Sequence, residues 1–184
     1  TSEGVCGDYY DVLPSRVDRI SFILADVAGK GMTSLIIMVM IRAILRLIVN
    51  TKQSASTILS WINRGIALEN NIDHFASLSL INYDSTTKKI QFSTAGTTPI
   101  LYYNNETDEI KQVSKVTEPI GVEKNTEYTD TEIDVNSGDI LVMYSDGVAE
   151  SVNQSGKQYT KERLFQIITE NKKLSGKEIA SLVK

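Results

Sequence analysis

Apolar and polar residues follow two rhythms along this chain. Residues 20–25, ISFILA, form a continuous apolar run rich in branched side chains, with charge before it and glycine soon after. Such a run predicts a buried strand and leaves Asp26 at its end. After the Gly-Lys-Gly turn, Thr33 or Ser34 is placed to cap a helix reaching about Asn50. Leu35, Met38, Ile41 or Arg42, and Leu45 recur at helical spacing, and the first half of the helix is apolar almost all round, which predicts burial between layers. Residues 54–69, SASTILSWINRGIALE, again begin with hydroxyl caps and set Ile58, Trp61, Ile62, Ile66 and Leu68 in a helical pattern. The two helices read as a packed pair.

From Phe75 the period shortens to two. FASLSLINYD and KIQFSTAG alternate apolar and polar residues around a DSTTKK turn, which predicts a hairpin, and PILYY follows as a third strand. NNETDE is a polar turn and IKQVS returns as a strand; YTDTEIDV and DILVMYSD add two more, with NSGD between them. Lys161 to Glu170 is again helical. Strands, two helices, many antiparallel strands and a further helix argue for an α+β domain of one or two antiparallel sheets covered by helices, rather than alternating βαβ units. There is no internal repeat, low-complexity segment or linker.

Composition narrows the function. The 184 residues suffice for one domain with a sizeable core, and a net charge of −4 without any basic stripe argues against nucleic acid as a partner. Cys6 is the only cysteine and His74 the only histidine, which excludes an internal disulfide, a thiolate zinc site and sites built on several imidazoles. A single cysteine fits a reducing, cytoplasmic setting. The most apolar run, Leu35 to Ile41, is too short to cross a bilayer. The chain opens without Met or a signal-peptide pattern, a few residues before its first strong motif, so it reads as a fragment of a longer protein.

The candidate chemistry lies in acids at strand ends. Asp8 in GDYYD, Asp26 in ADVAGKG and Asp146 in YSDGVAES each sit beside small or turn-forming residues, and acids so placed can converge on one cleft as oxygen ligands for Mg²⁺ or Mn²⁺. Each also has a plain reading; Asp146, an acid before glycine, would commonly accept its own backbone N–H in a turn. Asp11 reads as a turn or surface acid, and Glu150 as the start of a loop. A phosphate loop fails at two places: Leu24 stands at its first glycine and Gly31 follows Lys30. Lys30 is either a point charge for a substrate phosphate or a solvated turn lysine.

Taken together, GDYYDV, ILADVAGKGMTSLIIMVM, FASLSLINYD, FSTAGTTPILYY, PIGV and GDILVMYSDGVAESVN, in this order, resemble the PPM-type (type 2C-like) metal-dependent serine/threonine protein phosphatases, in their bacterial SpoIIE/RsbU-like branch. The resemblance runs from about Gly4 to Phe165. It implies a four-layer αββα sandwich of two antiparallel sheets flanked by helices, spanning residues 1–184 as a single domain, with two ions, Mn²⁺ or Mg²⁺, at one end of the sheets. It assigns Asp8, Asp26 and Asp146 to catalysis: Asp26 bridging both metals, Asp8 and the Val27 carbonyl on one, Asp146 on the other. The implied reaction is hydrolysis of phosphoserine or phosphothreonine by a water that two metals activate. The implied partners are a phosphorylated STAS-type anti-sigma-factor antagonist and an upstream sensory or regulatory domain, with no membrane contact from this domain.

Three departures stand out. The chain has Cys6-Gly7-Asp8 where the family usually has Gly-Gly-Asp, and Thr97 where it commonly has His. Its terminal Asp-Asp-x-Thr strand, which supplies a further ligand, does not occur before Lys184. They keep a second reading open, a catalytically deficient phosphatase-like module that binds its partner in a partner-switching pathway.

Overall fold

The computed structural model describes residues 7–15, 18–29, 31–48, 50–67, 75–152 and 156–183. The elements run β1 (Asp8–Pro14), β2 (Arg19–Val27), α1 (Met32–Ile48), α2 (Ala55–Ala67), β3 (Ala76–Asp84), β4 (Lys89–Ala95), β5 (Ile100–Asn104), β6 (Glu109–Gln112), β7 (Thr131–Asp134), β8 (Ile140–Met143), α3 (Asp146–Ala149), α4 (Lys161–Glu170) and α5 (Gly176–Leu182). All strand pairing is antiparallel, in one sheet of order β1-β2-β3-β4-β7 and another of order β6-β5-β8, so the class is α+β as the pattern predicts. The contacts gather into two compact units, one of residues 1–98 and 114–135, the other of 99–113 and 136–184.

In the first unit the helices cover one face of the five-stranded sheet. Ile23, Ala25 and Val27 of β2 and Leu78 and Leu80 of β3 pack with Ile37, Ile41 and Leu45 of α1 and Ile58, Leu59, Ile62 and Ile66 of α2. Each fully buried aliphatic side chain is worth roughly 1.5–3 kcal/mol, so this cluster is the unit's main source of stability. At Gly65 a Cβ would lie 3.2 Å from the Ile44 side chain, and so α1 and α2 approach closely there. Polar residues buried in the sheet find partners: Ser93 Oγ donates to the Thr129 carbonyl at 2.9 Å and Thr94 Oγ1 to the Lys115 carbonyl at 2.8 Å.

Some expectations change. Helix α1 is not buried all round: Ser34, Ile37, Ile41 and Leu45 are buried, whereas Met32, Ile36, Val39 and Leu47 are exposed. It also begins one residue before the expected caps, and Ser34 Oγ donates to the Gly31 carbonyl at 3.0 Å instead of capping. The PILYY strand, β5, does not extend the β3–β4 hairpin but centres the other sheet, and β7 pairs with β4. Periodicity identifies strands, but long-range partners are chosen by packing.

The second unit packs Leu101, Tyr103, Tyr144, Leu164, Ile168 and Ile179 into its own core. Asp139 fastens its loops by accepting from Tyr102 Oη and the amides of Asn105 and Asn136, each at 2.8 Å. Asp108 accepts from Tyr103 Oη and Lys172 Nζ, both at 2.7 Å, and Lys172 lies 5.5 Å from the Tyr103 ring centre.

Asp11 is a strand residue rather than a turn acid. Its Oδ2 accepts from Tyr9 Oη and from Arg46 of α1, both at 2.8 Å, and its Oδ1 accepts from the Val12 amide at 2.9 Å. Burial pushes the Asp11 carboxyl up, but these hydrogen bonds outweigh it and hold the group below its ordinary value. Burial and the bond to Asp11 push the Tyr9 hydroxyl up to about 12. A carboxylate depressed by folding stabilises fully above its unfolded pKa, and that contribution fades as pH falls through the folded value. Asp11→Asn is therefore expected to cost about 1–2 kcal/mol in urea unfolding at pH 7. The gap to the wild type should close below about pH 4.

Candidate functional site

The β1–β2 register sets Asp8 directly opposite Asp26 and Tyr9 opposite Ala25. Ala25 and Val27 point into the helix-covered core, so Asp26, with Asp8 beside it, faces the other side of the sheet. Asp8 is exposed and Asp26 half-buried. Carboxylates at directly opposed positions have Cβ atoms roughly 4.5–5.5 Å apart, and like charges so placed repel. Such a pair is favourable where a cation offsets the repulsion.

A backbone oxygen joins the acids. The Val27 amide donates to the Gly7 carbonyl at 3.3 Å, and a Cβ on Gly7 would fall 2.6 Å from the Val27 carbonyl oxygen. Only glycine lets the two backbones approach this closely, which gives the Gly7-Asp8 dipeptide a steric reason beyond its acid. The donor set at this sheet end, two carboxylates and the Val27 carbonyl, is made of hard oxygens and suits Mg²⁺ or Mn²⁺.

Ser77, which the sequence reading did not single out, extends the row because it pairs with Asp26 on β3. Its Oγ accepts from the Thr97 amide at 3.3 Å. Gly96, at φ +78°, lies so close to Ser77 that a side chain there would collide with it. The loop carrying Thr97 is thus pinned beside the residue next to Asp26, with the Thr97 side chain exposed. The alternating polar positions of FASLSL were the available signal for Ser77. Beyond Val27 the chain turns through Gly29 and Gly31, at φ +97° and +92°, into α1. Lys30, the candidate phosphate contact, lies outside the described residues, as do Cys6 and His74.

Asp146 belongs to the second unit. It opens the short helix α3 after Ser145 rather than ending strand β8; its side chain is exposed, and its carbonyl accepts from the Glu150 amide at 2.8 Å. Glu150 is the C-cap of that helix. Among the described residues, no group of three or more His, Cys, Asp or Glu side chains is assembled to hold a metal ion. Among those residues, too, no helix is long and apolar enough to cross a membrane.

The fold has counterparts among solved structures. The SiaA-PP2C domain of Pseudomonas aeruginosa superposes with a TM-score of 0.82 at 18% identity, covering 98% of this chain and 72% of that one. RsbX in complex with magnesium superposes at 0.76 with 13% identity, covering 98% and 81%. These likenesses define the fold as that of the PPM, or PP2C, phosphatases. In sequence, the phosphoserine phosphatase RsbU of Bacillus subtilis is 27% identical over 152 residues, 82% of this chain and 44% of RsbU. Residues 16–184 match the family model of stage II sporulation protein E (SpoIIE), and the chain belongs to that family. It spans less than half the length of the curated relatives it matches.

The close backbone approach carries a direct test. Gly7→Ala should lower stability in chemical unfolding by about 1–3 kcal/mol, through displacement of the Val27 carbonyl. A neutral Gly7→Ala would show that the close approach is not required.

Proposed function

We propose that this chain is a metal-dependent protein phosphatase domain that hydrolyses phosphoserine or phosphothreonine on a regulatory protein. The observation that carries the reading is the placement of Asp8 directly opposite Asp26 at a sheet end, with the Val27 carbonyl beside them. Asp8, Asp26 and the Val27 carbonyl would hold one Mn²⁺ or Mg²⁺, and Asp146 would be a ligand of a second. Bound divalent cations would neutralise phosphate charge and lower the pKa of a coordinated water from 15.7 towards about 7. The crystal structure of RsbX in complex with magnesium supports a divalent ion in this fold.

The chain's own contribution is positional. The antiparallel register fixes the spacing of the two carboxylates, and the Gly7 contact fixes the Val27 carbonyl. No side chain is assigned as a covalent nucleophile. The substrate class we assign is a phosphorylated STAS-type antagonist of an anti-sigma factor, governed by an upstream sensory or regulatory domain in the cytoplasm. The RsbU likeness supports this assignment. A second reading, a phosphatase-like module that binds its partner without turnover, is favoured by Thr97, which presents a hydroxyl on the loop pinned to Ser77.

The test is Mn²⁺-dependent release of phosphate from a phosphoserine peptide, by residues 1–184 and by the chain in its full-length context. Asp26→Asn and Asp146→Asn are each expected to lower the rate by about a hundredfold or more, the loss of a few kcal/mol of transition-state stabilisation. Equal rates in Asp26→Asn and the wild type would sink the mechanism. A calorimetric titration in which the full-length protein takes up no Mn²⁺ would favour the binding module.

A further inference from the structure

An aromatic side chain stands in water at the same sheet end as the acids. Among the described residues, Phe75 is the only exposed phenylalanine, at 45%; Phe92 is buried, and Phe22 and Phe165 are half-buried. Phe75 directly precedes β3, and the Ala28 amide donates to its carbonyl at 2.8 Å. This bond carries the β2–β3 register one step past its last pairs, Asp26 with Ser77 and Val27 with Ala76. Side chains two apart along a strand point the same way, so Phe75 shares a face with Ser77 and with Asp26. It takes the diagonal position to Asp26, where neighbours lie roughly 7–8 Å apart, within reach of an aromatic side chain.

The backbone beneath this ring is held from both sides. Ala76, next in the chain, exchanges two hydrogen bonds with Ile120: its amide donates at 3.0 Å and its carbonyl accepts at 2.9 Å. The loop that carries Ile120 is anchored in turn by Asn63 of α2, which is fully buried. Asn63 Oδ1 accepts from the Gly121 amide and Nδ2 donates to the Glu123 carbonyl, each at 2.8 Å. Phe75, Ile120, Asn63, Asp8 and Asp26 all belong to the first unit. A phenylalanine kept partly in water forgoes free energy that full burial would supply, and here a fixed scaffold keeps it there. An aromatic ring on a rigid backbone has little freedom left to lose when a partner covers it, which is why such rings anchor recognition surfaces.

We infer that Phe75 is a specificity-determining residue for the proposed reaction: it receives an apolar side chain that flanks the phosphorylated serine or threonine of the protein substrate. The inference rests on the reading of Asp8 and Asp26 as the acids that hold a metal where the phosphate reacts. With the phosphate beside Asp26, a ring one diagonal away meets a neighbouring residue of the substrate rather than the reacting group. Side chains on one face of an extended peptide recur at intervals of roughly 7 Å, which matches that offset. The contact is uncharged and lies outside the reacting atoms, so it holds substrate and transition state alike. It therefore acts on KM rather than on kcat.

The test uses the full-length protein with Mn²⁺ and a set of phosphoserine peptides that carry leucine or alanine at each of the two places before and after the phosphoserine. Free phosphoserine serves as the small substrate. At one or more of those places leucine is expected to lower KM by about three- to tenfold relative to alanine. Phe75→Ala should erase that preference, with kcat and the rate on free phosphoserine unchanged, and Phe75→Leu should keep only part of it. Equal KM for all the peptides in the wild type would overturn the inference, while their turnover would still uphold the phosphatase reading. A preference that Phe75→Ala leaves intact counts against it as well; if that variant does not fold, a preference at wild-type strength in Phe75→Leu counts in the same way. A variant that slows free phosphoserine as much as the peptides would show that the ring serves the acids and not the substrate, and the inference would fail. No turnover of free phosphoserine or any peptide by the wild type would remove the phosphatase reading and the inference with it, so the two failures are told apart.

Discussion

Two like charges set opposite each other on neighbouring strands are a liability that a sheet normally avoids, and here the liability is built into the register. Asp8 and Asp26 face one another because β1 and β2 align from Pro14 with Ile20 to the open end of the ladder. The apolar residues that alternate with them, Tyr9, Ala25 and Val27, are buried beneath α1 and α2. A one-residue slip would turn those side chains out and the acids in, so the core and the acid pair are enforced by one alignment. Stability of the first unit and the chemistry at its sheet end are thus not separate achievements. The hydrophobic cluster supplies the free energy that keeps the carboxylates together.

Much of this could be read from the residues because it rests on local periodicity. The strand at ISFILA, the helices after GKG and SAST, and the FASLSL–KIQF hairpin each announce themselves by a period of 3.6 or 2, and α4 falls where its pattern places it. The acids could be recognised by type, since Asp beside small or turn-forming residues after an apolar run is either a turn residue or a ligand. What could not be read is pairing over distance. Nothing in PILYY tells β5 to leave the hairpin for the other sheet, and nothing in TEID tells β7 to return to β4. The same blindness hid Asp11, whose partner Arg46 lies 35 residues away, and Ser77, whose meaning comes from its neighbour across the ladder.

The helix-covered face of the sheet changes character along its length. Near Val27, Ala76 and Leu78 it is apolar and closed; near Arg19, Asn82 and Gln91 it is polar and opens into a cavity. In sequence this appears only as polar residues at inward positions of otherwise regular strands, a pattern that breaks the binary code of a core. A protein that places Asn and Arg where Leu and Val would serve accepts a loss of stability there, and Arg19 uses its position to fasten the α1–α2 connection to the sheet through the carbonyls of Gln53 and Thr51.

The return of β7 has a consequence for how the molecule is made. The first unit is assembled from two stretches, residues 1–98 and 114–135, so its sheet is not complete when the first stretch has been synthesised. Until Thr131–Asp134 emerges, the outer edge of β4 presents unpaired N–H and C=O groups around Phe92, an apolar residue that is 2% exposed in the finished fold. At ordinary rates of synthesis that interval lasts on the order of seconds, long compared with the closing of a hairpin. The nascent chain therefore passes through a stage with a bare sheet edge, the form in which strands recruit one another between molecules. The short β7, with Glu132 and Asp134 along it, ends that exposure and leaves a charged border in its place.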